Sequence, residues 1–537
     1  MKPVFVFRII TILTIFVFIS HQCKAALASI HYVNISSTGL NDGTSWTNAY
    51  HDLQAAINAA INDDEIWVAA GTYFPTAAIA GSSDRDKTFF INKSIKLYGG
   101  FEGLPGSEGH FESRNVITHR TILSGDLGKL DSIADNAFQV MQLDHVGNNM
   151  VLDGFTITLG YGHEGSAGNS GAGIYNDGSV TGSSNPIIAN CIFDHNNSFE
   201  AGGAFLNYGH EGEASPVFMQ CIFTHNLASG GGAISNIAGS NGKANSLIIN
   251  SQFKGNSART ASGGAIGNIA VDGTSSPQLY NCLFSGNFSP TSPAFHGFAN
   301  GNGTYNPSLV NCTFAGNSGG AMGSVALGAS VSHPEIKNSI FWNNAGGGGI
   351  FDNGATTTIT YSLVPFGNFP GEGNIGLDPV FVNTPDFNSA PTTAGDLHLT
   401  AGSIAINAGN NDALNPNIPT DLDGLPRIQP ENGGTGVVDM GAFEFKAATV
   451  GFSEIQSPFE WNVSPNPASD QIIIRLETSH TMGSLRICDM NGRIAAQQML
   501  AANMSDYTID VSHLLPGTYT VQLFFNGRIS AKKLVVE

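Results

Sequence analysis

The sequence NPIIANCIFDHN at residues 185–196 returns 30 residues later as SPVFMQCIFTHN at residues 215–226. The same frame recurs at residues 245–256, 276–287, 306–317 and 333–344. The spacing between the phenylalanines of successive copies is 30, 30, 31, 30 and 27 residues, at Phe193, Phe223, Phe253, Phe284, Phe314 and Phe341. A repeat of this length predicts a solenoid, in which each coil buries its apolar face against its neighbours.

The repeats favour strands over helices. Their apolar runs are short and β-forming, and Gly, Asn, Ser and Pro interrupt them, whereas helical repeats need longer amphipathic runs. Cys191 and Phe193 are two residues apart and therefore share one face of a strand, which we expect to be the inner face. Equivalent side chains should then stack on adjacent coils. The asparagines three residues after each Phe and those just before each Cys/Ser position should form amide ladders at the turns.

The combination of Gly-Gly-Ala-Ile, at residues 231–234 and 263–266, with Phe-x-x-Asn resembles two groups of proteins. These are the chlamydial polymorphic membrane proteins and the related pectin-lyase-like β-helices. The resemblance implies a right-handed parallel β-helix and does not imply the chlamydial function. The predicted fold class is all-β, a right-handed parallel β-helix solenoid followed by a small C-terminal β-sandwich.

The N-terminus and the charge indicate an exported protein. Residues 1–28 have the pattern of a signal peptide, with Lys2 and Arg8 before an apolar stretch and small residues near position 28. No later segment is long and apolar enough to span a bilayer. The formal net charge is −20, from 22 basic and 42 acidic residues, so the surface should repel nucleic acids and acidic polysaccharides.

The predicted domain order is a β-helix with an N-terminal cap at residues 29–355, terminal coils at 356–445, a linker at 446–457 and the tail at 458–537. Apolar residues at helical spacing over 53–61 predict the capping helix. Residues 356–445 resemble the choice-of-anchor Q domain of bacterial surface proteins. Within them, Asp421 and Asp423 form either half of a Ca²⁺ site or, the favoured interpretation, a pairing with Arg427. No other cofactor is predicted.

In the tail at residues 458–537, apolar and polar residues alternate over short segments, which predicts the strands of a small β-sandwich. It resembles the type A C-terminal sorting domain of the type IX secretion system. The resemblance rests on short motifs that contain Pro465, Asn466, Pro467, Asn491, Gly492, Arg493, Gly517, Tyr519, Lys532 and Lys533. It implies that the secretion machinery is a partner, that the protein is exported across the outer membrane of a Bacteroidetes-type bacterium, and that the tail is removed afterwards.

The sequence indicates the fold more precisely than it indicates the function. Aromatic and polar turn residues are the candidate ligand-binding set, namely Tyr161, His163, Glu164, Tyr208, His210 and Glu211, with Tyr175 and Tyr305 as further rings for stacking on sugars. His195 and His225 share a repeat position and should stack. They either hold a transition metal or are ordinary exposed histidines, and the second interpretation is favoured, so no metal site is predicted.

Two functions compete. The coil carboxylates Asp153, Asp177, Asp194, Glu200, Asp272 and Asp352 do not recur at one repeat position, and few bases lie near them. Since glycosidases need two positioned carboxylates, no catalytic residue is predicted. The preferred hypothesis is a non-catalytic surface protein that adheres to cells or binds an extracellular glycan. The alternative is a polysaccharide lyase or glycoside hydrolase of the pectin-lyase-like fold.

Overall fold

Three parallel β-sheets enclose one elongated core in the computed structural model. The structure describes residues 28–79, 81, 83–129, 132–162, 170–260, 262–346, 349–365, 370–429, 436–446, 461–476, 483–489, 494–501, 504–525 and 528–537. The chain divides into two compact units, Met1–Phe445 and Lys446–Glu537. The predicted parallel β-helix is confirmed, and it lies in the first unit.

Each coil contributes one strand to each sheet, and every strand pairs in parallel with its equivalent on the next coil. The first sheet contains Ile30–Val33, Glu65–Ala69, Lys96–Phe101, Val151–Asp153, Ile187–Ala189, Val217–Met219, Leu247–Ile249, Gln278–Tyr280, Ser308–Val310, Glu335–Lys337 and Thr358–Thr360. The second sheet contains Gly71–Tyr73, Thr121–Ser124, Phe155–Thr158, Ile192–Asp194, Ile222–Thr224, Gln252–Lys254, Leu283–Ser285, Thr313–Ala315 and Ile340–Trp342. The third sheet contains Phe89–Ile91, Met141–Asp144, Ile174–Asp177, Phe205–Tyr208, Ile234–Gly239, Ile266–Val271, Phe295–Asn300, Met322–Ala326 and Ile350–Asn353.

The repeated phenylalanines form the predicted internal stack. All six are fully buried, and successive rings lie 4.3–4.9 Å apart with nearly parallel planes. The Cys/Ser column beside them is also fully buried, and the thiols of Cys191, Cys221, Cys282 and Cys312 are free. These cysteines are small core residues, as the sequence favoured.

An amide ladder follows the phenylalanine stack. Asn196, Asn226, Asn256, Asn287, Asn317 and Asn344 are buried, and each of the first five donates from Nδ2 to Oδ1 of the next at 2.8–3.1 Å. A second ladder, which the sequence analysis missed, joins Asn176, Asn207, Asn236 and Asn268 inside the third sheet. The two ladders satisfy buried amide groups and fix the register between coils.

The asparagines before the Cys/Ser position adopt the expected left-handed conformation, with φ between 48° and 55° at Asn190, Asn250, Asn281, Asn311 and Asn338. The continuous ladder predicted for them is wrong. Asn281 donates to Asn250, but it also bonds to the carbonyl of Thr420. Asn311 and Asn338 likewise donate to carbonyls of the segment after the last coil, at Asp439 and Asn410. Their amides therefore hold that segment against the coils.

One α-helix, Leu53–Ala59, covers the N-terminal end of the core. Asp52 caps it by accepting from the backbone N–H of Gln54. Leu53, Ala56 and Ile57 are buried against the first strands, as predicted for a capping helix. Short 3-10 turns lie at Asp84–Asp86, Phe111–Ser113, Phe387–Ser389 and Asn411–Ala413. No helix among the described residues has the length and apolarity to cross a bilayer.

An outer segment, residues 370–429 and 436–445, contains the antiparallel strands Phe381–Asn383 and Asp396–Leu399 and packs on the outside of the last coils. Arg427 is buried here, and its guanidinium lies 3.1 Å from a carboxyl oxygen of Glu444. Asp421 accepts backbone N–H groups of Asp423, Leu425 and Glu444. The carboxyl in contact with Arg427 is thus that of Glu444 and not the predicted Asp421 or Asp423, and Asp423 bonds to His398.

The second unit contains two antiparallel sheets that share one core. One consists of Trp461–Ser464, Gln471–Leu476 and Asp506–Asp510, and the other of Gly483–Cys488, Ile494–Leu500, Gly517–Phe525 and Arg528–Val536. The side chain of Asn466 bonds to the backbone of Lys533 and Val535, and Tyr519 donates to the carbonyl of Leu515. Asn491, Gly492 and Arg493 lie outside the described residues.

Candidate functional site

A groove crosses the outer face of the second sheet. At the C-terminal coils this face is covered, because Leu283 and Ile340 are buried against residues of the outer segment at 370–429 and 436–445. In the middle coils the equivalent residues Ile192 and Ile222 remain partly exposed. The insertion at residues 102–120 forms the opposite wall and is held to the coils by Arg114, which contacts Asp153 at 2.6 Å.

The groove has a volume of about 440 Å³, within the usual range for ligand sites. Its lining consists of Val116, Ile117, Arg120, Thr121, Gly154, Phe155, Thr156, Asn190, Cys191, Ile192, Gln220 and Ile222. Most of these residues are apolar, and Ile117 stands at the rim with 81% of its surface exposed. Arg120, Asn190 and Gln220 supply the long polar side chains. An apolar surface with a few hydrogen-bonding groups suits a ligand with both apolar and hydroxyl-bearing faces.

The groove has few titratable side chains. None of its lining residues is an Asp or Glu, and Arg120 is the one titratable base among them. The nearby carboxylate of Asp153 accepts hydrogen bonds from the guanidinium of Arg114 and the side-chain amide of Asn190. Such a lining lacks the carboxylate pair that a glycosidase positions around the scissile bond.

A cluster of Asp194, His195 and His225 lies farther along the same strands. Nδ1 of His195 is 2.9 Å from one carboxylate oxygen of Asp194, and Nδ1 of His225 is 3.0 Å from the other. The two rings stack at 4.6 Å, as the sequence predicts for one repeat position. Burial opposes ionisation of Asp194, but hydrogen bonds from His225, His195 and Thr224 prevail and lower its pKa below the ordinary value. The two histidines and Thr224 therefore favour the ionised form of this carboxylate.

The four candidate ligand-binding residues that the structure describes, Tyr161, Tyr208, His210 and Glu211, are not part of the groove lining. Tyr161 lies on the turn after the second sheet, where the guanidinium of Arg85 is 5.7 Å from its ring. Tyr208 ends a strand of the third sheet, and its ring stacks at 6.0 Å on His210, which precedes Glu211 on the next turn. His163 and Glu164 lie outside the described residues. These six residues remain a prediction.

The expectation that Tyr305 is available to stack on sugars is wrong. Tyr305 is fully buried. The ladder of the third sheet ends at Asn268 because Gly297, on the next coil, has no side chain. The ring of Tyr305 fills the space beside that glycine. The adjacent rings of Tyr175 and Tyr208, 6.3 Å apart, are partly exposed on the third sheet.

Sequence reasoning missed the groove because its parts have no common pattern. The wall comes from the non-repeating insertion, and the floor comes from outward positions whose residue type changes from coil to coil. The signal available in the sequence was the insertion itself, because residues 102–120 separate two consecutive strands of the early coils.

Comparison with known proteins identifies the tail. The family of secretion system C-terminal sorting domains matches residues 462–537. The chain thus carries a type IX secretion sorting domain, which directs export to the cell surface or the extracellular space. No curated protein matches the chain.

Two solved structures show similarity to the chain. Pectate lyase Pel9A has 17% identity, with 78% of this chain and 96% of that chain covered and a TM-score of 0.46. The enzymatically active domain of bacteriophage CBA120 tailspike protein 4 has 12% identity, with 91% and 66% covered and a TM-score of 0.19. The choice-of-anchor Q resemblance of residues 356–445 stays a prediction.

Proposed function

We propose that this protein is a non-catalytic β-helix of the cell exterior that binds a neutral polysaccharide in the groove on its second sheet. The observation that carries the proposal is the lining of the groove, which combines the exposed Ile117 and half-buried apolar side chains with Arg120, Asn190 and Gln220 and contains no carboxylate. Sugar rings offer apolar faces and hydroxyl edges, and such a lining can contact both.

The electrostatics support a neutral ligand. The formal net charge of −20 disfavours the approach of a polyanion. Arg114, beside the groove, is neutralised by Asp153 at 2.6 Å, so Arg120 is the cation left in the lining. A neutral chain needs no charge neutralisation and can use Arg120 as a hydrogen-bond donor to hydroxyl groups.

The export signal supports a role outside the cell. A sorting domain at residues 462–537 delivers the β-helix to the surface or the medium, where polysaccharides and neighbouring cells are the available partners. The amide ladders and ring stacks make the coils rigid, and a rigid scaffold is suited to presenting an extended binding surface.

The experiment is a binding screen of the secreted protein against neutral and acidic polysaccharides, run in parallel with an assay for released products. Ile117→Ser should weaken binding, while the control Ile133→Ser, which changes an exposed isoleucine outside the groove, should not. Ile192→Trp should also weaken binding because the larger ring fills the floor.

Binding that both groove substitutions leave unchanged would contradict the groove as the site. Release of reducing ends or unsaturated products would contradict the non-catalytic function and favour the lyase or hydrolase alternative.

A further inference from the structure

The histidine pair on the second sheet occupies an unusual backbone position. The residue after each second-sheet strand adopts a left-handed conformation in seven successive coils, at Leu159, His195, His225, Gly255, Gly286, Gly316 and Asn343. Their φ angles lie between 49° and 66°. Glycine adopts this conformation without steric strain, and asparagine tolerates it better than most residues. Leu159 and the histidines of the next two coils depart from this preference, and strained residues of this kind often mark functional positions.

A carboxylate is placed beside the same two coils. The column of outward residues before this position reads Thr158, Asp194, Thr224, Lys254, Ser285, Ala315 and Trp342, so Asp194 is its one acidic member. Both imidazoles direct Nδ1 at Asp194, one at each carboxylate oxygen. Oγ1 of Thr224 donates to Oδ1 of Asp194 at 2.9 Å and fixes the orientation of the carboxylate.

The three side chains present ligand atoms that all lie within 4.8 Å of one another. Ligands of a Zn²⁺ ion bond at about 2.0–2.2 Å and are therefore at most about 4.4 Å apart, so a small rotation of the exposed rings closes the site. A neutral imidazole can carry its proton on Nε2, which leaves Nδ1 free to coordinate. Thr224 supplies the outer hydrogen bond that commonly orients a coordinating carboxylate.

We propose that Asp194, His195 and His225 form a surface site for a transition-metal ion of the zinc class. Two imidazoles with one carboxylate favour Zn²⁺, Ni²⁺ or Cu²⁺ over Ca²⁺ and Mg²⁺, which prefer oxygen ligands. More than two-fifths of each histidine side chain is exposed, so the remaining coordination positions face the solvent. This site is independent of polysaccharide binding in the groove.

The test is calorimetric titration of the tag-free secreted protein with ZnCl₂ after removal of metals with a chelator. His195→Gly and His225→Gly install the residue that the three coils after His225 carry at this position, so these variants relieve strain and should fold. The control is His398→Ala, which removes an exposed imidazole that lies between Asp396 and Asp423 without a second histidine in contact.

We expect the native protein and His398→Ala to bind Zn²⁺ with the same affinity, and the double glycine variant to lack this site. Each single glycine variant should bind Zn²⁺ at least about tenfold more weakly than the native protein. Zn²⁺ should also raise the unfolding temperature of the native protein more than that of the double variant. The proposal is overturned if the native protein binds no Zn²⁺, or if the double variant matches it in stoichiometry and affinity.

Discussion

The side-chain amide of Asn256 donates a hydrogen bond to Oδ1 of Asn287 on the next coil at 3.0 Å. The same amide donates to the carbonyl of Phe223, and Oδ1 of Asn256 accepts from the backbone and side chain of Asn226. Every polar atom of this fully buried side chain is therefore used. The ladder couples three successive coils through one residue.

Replacement of Asn256 by Ala should destabilise the β-helix by about 3 kcal/mol or more. The change leaves the amide of Asn226 and the carbonyl of Phe223 without this partner, and each unsatisfied buried group costs about 1–3 kcal/mol. Chemical denaturation of the two proteins measures the difference. Asn302→Ala, at an exposed turn, should change stability by less than about 0.5 kcal/mol. Equal effects of the two substitutions would contradict a structural role for the ladder.

Replacement of Phe253 by Ala should cost roughly 3–5 kcal/mol, the usual effect of emptying a buried aromatic site. Its ring lies 4.7 Å from both Phe223 and Phe284 in the middle of the stack. Phe199→Ala is the control, since Phe199 has 36% of its surface exposed. An unchanged denaturation midpoint for Phe253→Ala would refute the internal stack.

The terminal segment should lose stability as the pH rises. Burial, together with Asp439 and Asp421, raises the pKa of Glu444 to about 8 despite the attraction of Arg427. In the unfolded state this carboxyl releases its proton above about pH 4.5, whereas in the folded state it keeps the proton up to about pH 8. The free energy of unfolding therefore falls as the pH rises from about 4.5 to about 8. The raised pKa of His398, where hydrogen bonds to Asp396 and Asp423 outweigh burial, acts with the same sign.

Glu444→Gln isolates the contribution of Glu444, because it removes the titrating group. We expect a shallower fall of the unfolding temperature with pH in this variant than in the native protein. Glu335→Gln, at an exposed carboxylate, should leave the native slope unchanged. If the unfolding temperature of Glu444→Gln fell with pH as steeply as that of the native protein, Glu444 would be ionised across this range and the prediction would be wrong.

The mature surface form should lack residues 458–537. Export through the type IX system implies removal of the sorting domain that matches residues 462–537. Intact-mass measurement of the protein from the medium or the cell surface tests this expectation. A mass that still includes the tail would contradict it.

The sequence was sufficient for the fold because a solenoid repeats its constraints. Phe193 and Cys191 recur on coil after coil, so period and spacing predict the inner face, the stack and the ladder at Asn196. The ladder at Asn176 was missed because its members lie within strands whose other residues vary. The burial of Tyr305 was missed because it depends on the absent side chain at Gly297, a contact between a strand and the loop that follows it.

The site was less predictable than the fold. The stacking of His195 and His225 follows from their shared repeat position, but the approach of Asp194 to both rings depends on side-chain geometry. The groove depends on where a non-repeating insertion meets the coils, and no periodic pattern encodes that meeting. Tyr161 and Tyr208 were grouped by residue type, whereas the fold places Tyr161 on the turn after the second sheet and Tyr208 at the end of a strand of the third sheet.

Hydroxyl-radical footprinting of the protein with a bound polysaccharide tests the central claim most directly, because it reports which side chains the ligand covers. The account predicts protection of Ile117, Ile192 and Ile222 in the groove and no change at Ile133, with the polysaccharide recovered intact. Protection confined to other faces, such as Tyr208 and His210 on the third sheet, or recovery of a cleaved polysaccharide, would contradict it.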